Sequence, residues 1–121
     1  VARERVPAFL SLAQVAVVPL RKLDLFEGAL PSKMLDAWAC ACPTLVTIGG
    51  EAKAVLEQAA AGIWVAPEDA EALRAAILRL VDEPAQVRQM GENGRRFVAE
   101  HYSRQAQAQQ LEKLLTTLPA R

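Results

Sequence analysis

Pro31-Ser32-Lys33, followed by Asp36, is the stretch whose residue types and spacing could hold a charged ligand. Pro31 suits the first turn of a helix, because its missing N–H would have had no helical partner there. The N–H groups of Ser32, Lys33 and Met34 are then free at the helix start. Aligned peptide dipoles add roughly half a unit of positive charge at that end. A phosphate or diphosphate suits such a place, and Lys33 adds a full positive charge. Asp36 follows at i+3 from Lys33, so both can face one side. Its carboxylate is better suited to accept hydrogen bonds from sugar hydroxyls than to meet phosphate. The set could hold a nucleotide, with diphosphate on Ser32 and Lys33 and ribose on Asp36. The plain alternative is a surface ion pair contributing roughly 0.2–0.5 kcal/mol.

These residues need a scaffold. Val15 to Leu20 is a continuous apolar run rich in Val, as in a strand buried on both faces of a parallel sheet. Arg21 and Lys22 follow at its carboxyl end, where ligands of open α/β sheets gather. A diphosphate contact or a solvated loop both fit that pair. The helix from Pro31 to Cys40 presents Met34, Leu35, Trp38 and Ala39 as its apolar face, and Pro43 marks its end. Trp38, a turn beyond the site, reads as core rather than as a sugar platform.

Thr44 to Ile48 reads as a second strand, and Gly49-Gly50 as a tight loop into a helix from Glu51 to Ala61. Two glycines let backbone approach a ligand, but no Gly-x-Gly-x-x-Gly follows the strand. Glu51 either touches the ligand or is a favourable charge in a helix's first turn. Gly62 is expected to terminate that helix, with Ile63-Trp64-Val65 as a third strand. Asp69 suits an N-cap for a helix from Ala70 to Asp82, striped by Leu73, Ile77, Leu80 and Val81. A helix from Pro84 turns Val87, Met90, Phe97 and Val98 inward, with Gly91 and Gly94 weakening its middle. His101 reads as a capping or surface group. Ser103 caps a last helix to Leu118, with Leu111, Leu114, Leu115 and Leu118 along one stripe. Upstream, Val1 to Leu12 reads as a helix with Val6, Phe9, Leu10 and Ala13 aligned. The alternation predicts an α/β fold: a partial Rossmann-like, three-layer αβα arrangement of about three parallel strands flanked by helices.

The 121 residues suit one domain. A hydrophobic content of 52% argues against disorder. Lys plus Arg equals Asp plus Glu at 14 each, which gives no support for nucleic-acid binding. Cys40 and Cys42 are too few for a disulfide framework or a zinc site and read as small buried residues in a reducing compartment. No apolar run approaches the roughly 20 residues needed to span a bilayer, and no signal peptide is visible.

The stretch Gly28 to Pro43 resembles the donor-site motif of the GT4-type, GT-B fold glycosyltransferases. Gly49-Gly50-Glu51 after the next strand, Ala61-Gly62-Ile63-Trp64-Val65 before Pro67-Glu68-Asp69, and Ala70-Glu71-Ala72-Leu73 opening a helix agree with it. The branch reading Pro-Ser-Lys, which includes bacterial N-acetylaminosugar transferases of surface-polysaccharide synthesis, is the nearest. The resemblance implies the donor-binding half of a retaining enzyme that moves a sugar from a nucleotide diphosphate to an acceptor hydroxyl. Ser32 and Lys33 would bind the diphosphate, Asp36 the ribose, and Glu27, Gly28 and Glu51 the donor sugar. No general base is assignable. Asp36 stands where the family has Glu, Gly28 where many members carry an earlier Glu, and Ala41 where a Gly is usual.

Residue 1 is Val rather than Met. The resemblance implies that residues 1–121 are the second part of a C-terminal nucleotide-sugar-binding domain, with the N-terminal acceptor domain absent. The expected partners are a nucleotide-sugar donor, with UDP and an aminosugar suggested by the nearest branch, and that missing N-terminal domain. No cofactor and no metal are expected. The parent is expected to be cytoplasmic, with peripheral association at the inner face of the membrane. Self-association of the fragment is expected from an open strand edge. A non-catalytic nucleotide-sugar module and a protein interaction domain using the last helix are the alternatives.

Overall fold

The computed structural model describes residues 3–19 and 31–118. A 3-10 turn at Arg3–Arg5 leads into α1 (Val6–Leu12), then β1 (Ala16–Val18). After residues outside the described part come α2 (Ser32–Ala39), β2 (Thr44–Val46), α3 (Glu51–Ala59) and β3 (Gly62–Trp64). Three further helices follow: α4 (Ala70–Asp82), α5 (Pro84–His101) and α6 (Arg104–Thr117). The strands form one parallel sheet in the order β1-β2-β3, with Val17 opposite Leu45 and Leu45 opposite Ile63. The expected α/β fold of three parallel strands flanked by helices is therefore present.

β2 is the strand that fits the doubly buried pattern: Thr44, Leu45 and Val46 are all buried. Its residues alternate between two cores. Val46 joins Val18, Met34, Trp38 and Leu56 on one face, while Leu45 joins Val65, Leu80 and Met90 on the other. β1, expected to be buried on both sides, is an outer strand of the described sheet and leaves Val17 43% exposed.

Local signals set several helix starts. Asp69 Oδ1 accepts from the Ala72 N–H at 2.9 Å, and Ser103 Oγ from the Ala106 N–H at 3.1 Å. Each satisfies a donor that the helix itself cannot. Other expectations need correction. Gly62 does not terminate α3. The chain turns left-handed at Ala60, with φ 52°, and Gly62 opens β3 opposite Thr44. A Cβ on Gly62 would lie 1.9 Å from the Thr44 carbonyl oxygen, so close strand contact is its reason.

Gly91 and Gly94 are packing points of α5, not weak places. A Cβ would lie 2.2 Å from the Ala41 carbonyl oxygen at Gly91 and 2.8 Å from Trp38 Cγ at Gly94. Their missing side chains let α5 lie directly against α2, its main helical contact. The α2 face that packs inward is Met34, Ala37 and Trp38, with Leu35 half-buried against the same core, whereas Ala39 is exposed. Trp38 is fully buried, donates from Nε1 to Thr44 Oγ1 at 3.1 Å, and meets the Phe97 ring edge-on at 5.9 Å. Its indole thus ties α2, β2 and α5 together.

The apolar stripes nearer the periphery are less covered than their spacing suggested. Along α4, Leu80 is buried and Leu73 half-buried, but Val81 is 67% exposed. No residue of α1 is buried, and Leu12 is 83% exposed. These side chains lie where the three-stranded sheet has no further layer among the described residues.

Candidate functional site

Helix α2 begins at Ser32, one residue later than the proline rule suggested. Pro31 is its N-cap, with φ −64° and ψ 127°, and among the described residues no side-chain cap bond is made at the helix start. The Met34 N–H donates back to the Pro31 carbonyl at 3.1 Å. Of the three amides expected to be free, those of Ser32 and Lys33 therefore remain as the first two of the helix. Neither has a carbonyl one turn earlier in the helix to bond.

Ser32, Lys33 and Asp36 are all exposed. Lys33 and Asp36 line one cleft of about 250 Å³, together with Val6 and Leu10 of α1 and the whole of β1. Helical spacing put these two charges on one side, and the fold turns that side toward β1. An apolar wall from α1 and β1 thus faces an ammonium and a carboxylate from α2. Ser32 stands at the helix start outside that lining. Glu27 and Gly28, with Arg21 and Lys22, lie outside the described residues.

Glu51 occupies the first turn of α3, where a carboxylate complements the helix dipole, and is exposed. It follows Gly50, the N-cap, whose φ of 64° and ψ of −133° make a conformation that glycine alone adopts readily. The Gly49-Gly50 loop leaves the carboxyl end of β2, the same end of the parallel sheet at which the chain leaves β1 toward α2. Glu51 is not part of the Lys33–Asp36 cleft.

Two features gave no sequence signal that was read. A second depression of about 330 Å³ lies at the carboxyl ends of the strands, lined by Pro19, Thr47 and the start of α4. There Glu68 takes a left-handed φ of 60°. The other is Trp64, read only as part of a strand, whose Nε1 donates to the Ile48 carbonyl at 3.0 Å. A tryptophan in a short strand was the available signal, because a half-buried indole N–H usually finds an acceptor.

Comparison with known proteins bears on this arrangement. Over 109 residues the chain is 34% identical to an MMP alpha-(1->4)-mannosyltransferase of Mycolicibacterium hassiacum, a match covering 88% of this chain and 25% of that protein. It is also similar to the solved structure of sucrose-phosphate synthase from Thermosynechococcus elongatus, with 29% identity and a TM-score of 0.80. That match covers 96% of this chain and 28% of the synthase. The chain thus spans about a quarter of the length of these relatives. The family model described as glycosyl transferases group 1 matches residues 1–97. With the parallel sheet and the order of its helices, this match shows that the chain belongs to the group 1 glycosyl transferase family.

Proposed function

We propose that this chain is the donor-binding part of a larger glycosyltransferase that moves a sugar from a nucleotide-diphospho-sugar to an acceptor hydroxyl. One observation carries the reading. Lys33 and Asp36 open into the same cleft, beside the start of the helix that bears them, where the N-cap Pro31 offers no side-chain acceptor. The diphosphate gains negative charge as the bond to the sugar breaks. Fixed N–H dipoles and an ammonium stabilise that charge most when already in place. Lys33 and the Ser32 and Lys33 amides take this role, with no metal ion required. Asp36 accepts hydrogen bonds from the ribose hydroxyls. Glu27, Gly28 and Glu51 are assigned to the sugar.

The family membership and the two transferase relatives support sugar transfer as the reaction. Retention of configuration, a UDP donor, an aminosugar and a product in polysaccharide or glycolipid synthesis rest on the Pro31-Ser32-Lys33 resemblance. So does a parent in the cytoplasm at the inner membrane face. The acceptor side belongs to an N-terminal domain of the parent. The exposed Leu111, Leu114 and Leu115 of α6, with Leu118 at its C-cap, support a further protein surface there.

Calorimetry of the parent protein with UDP, GDP and ADP tests the reading. One of these nucleotides should bind, with or without EDTA. Lys33→Ala should weaken that binding about ten-fold or more, equivalent to roughly 1.4 kcal/mol or more. Absence of binding by the parent, or an unchanged affinity in Lys33→Ala, would overturn it.

A further inference from the structure

The loop after β2 is held from the side by one residue of the neighbouring strand. Trp64, the last residue of β3, donates from Nε1 to the carbonyl of Ile48 at 3.0 Å. Ile48 is buried and immediately precedes Gly49-Gly50. On its other side the same indole carries Lys53, whose Nζ lies 4.0 Å from the ring centroid. Lys53 is in the first turn of α3. One rigid side chain therefore touches both flanks of a two-glycine loop: the exit from β2 and the entry to α3. The loop's own restraint is slight, since Gly49 and Gly50 bring no side chains. Its described tie to α3 is the Ala54 N–H to the Gly50 carbonyl at 3.1 Å.

We infer that Trp64 is a positioning residue that presets the Gly49-Gly50-Glu51 loop for the donor's sugar, through Ile48 and Lys53. Indole suits this task for three reasons. It has few rotatable bonds, so ordering it costs little. Its N–H bonds the carbonyl of a buried residue that lies beyond the last strand pair. Its face attracts an ammonium. The inference rests on the reading that this loop meets the donor.

Trp64→Phe is the informative variant, because it keeps an aromatic ring under Lys53 and removes only the donor and part of the area. In the parent protein, amide hydrogen exchange at residues 49–51 should quicken about ten-fold, as for the loss of one buried hydrogen bond. Exchange in the middle of α5 should not change. In the parent, affinity should fall several-fold for whichever of UDP-N-acetylglucosamine, UDP-glucose, GDP-mannose or ADP-glucose the unsubstituted enzyme turns over. Affinity for the corresponding nucleoside diphosphate, which lacks the sugar, should be unchanged.

Unaltered exchange at 49–51 would overturn the inference. Faster exchange with unaltered nucleotide-sugar affinity would also overturn it, while leaving nucleotide binding at Lys33 standing. An unsubstituted parent that binds no nucleotide would instead remove the functional reading itself. Should Trp64→Phe fold poorly, the indole N–H of Trp64 in the unsubstituted parent decides. It should exchange slowly with solvent, and prompt exchange would sink the inference.

Discussion

Lys33 and Cys42 show how burial separates two chemically active side chains. Lys33 keeps its ammonium at an open cleft, where it can meet an anion. Cys42 is almost fully buried at 1% exposure, with its thiol toward the Pro43 carbonyl at 3.6 Å. Burial first, then the neighbouring Cys40, pushes the Cys42 thiol above its ordinary pKa, and a hydrogen bond with the Ala16 backbone offsets part of this. An unfolded chain sheds that proton in the ordinary thiol range of about 8–9, while the folded chain retains it. The linked stability is therefore complete below about pH 8 and declines as pH rises beyond it. Urea unfolding across pH 7 to 10 should show this decline in the native sequence and lose it in Cys42→Ala. In native protein, a thiol reagent should modify the half-buried Cys40 well before Cys42.

At the scale of elements, the helix ends and the α2–α5 contact respond to substitution in opposite directions. Ala60 ends α3 at a left-handed φ of 52°, and it is exposed. Left-handed backbone costs a residue with Cβ about 1–2 kcal/mol. Glycine removes that cost but adds roughly 0.4–1 kcal/mol of unfolded-state entropy. Ala60→Gly should therefore stabilise by about 0.5–1 kcal/mol. Gly94→Ala has the reverse balance. Better helix propensity offers about 1 kcal/mol. Against it, a Cβ would lie 2.8 Å from the buried Trp38 ring, which Phe97 also holds. Overpacking of this kind typically costs 1–3 kcal/mol, so Gly94→Ala should destabilise on balance. Thermal melts of the two variants check both signs.

For the whole molecule, the described sheet has two outer strands and incomplete cover. A groove of about 440 Å³ runs between the start of β1 and the face of α4, past Val17, Ile77 and Val81. Val17 belongs to an outer strand, and such edges pair readily with further strands. Contiguous apolar surface also favours association. The isolated chain should therefore self-associate, with a sedimentation coefficient that rises with concentration. A constant monomer over a hundred-fold range of concentration would count against this. Replacing Val17 and Val81 with Lys should shift the equilibrium toward monomer, since edge charges oppose pairing.

What the residues fixed by themselves is local. Asp69 and Ser103 bond amides three positions along their own chain, so the helix starts were legible in sequence. The apolar run through Thr44 to Val46 and the strand–helix alternation were likewise enough for the α/β fold. Lys33 and Asp36 were legible as a pair because helical spacing alone puts them on one side. The wall that faces them was not, since α1 and β1 are brought there by tertiary packing. The same distinction explains the misread glycines. Gly91 and Gly94 look like weak helix positions until α2 is placed against them, and Gly62 looks like a helix end until Thr44 stands opposite. Trp64 is the clearest case. Its partners Ile48 and Lys53 lie on two other segments, and only the folded sheet brings the indole N–H and the ammonium to it.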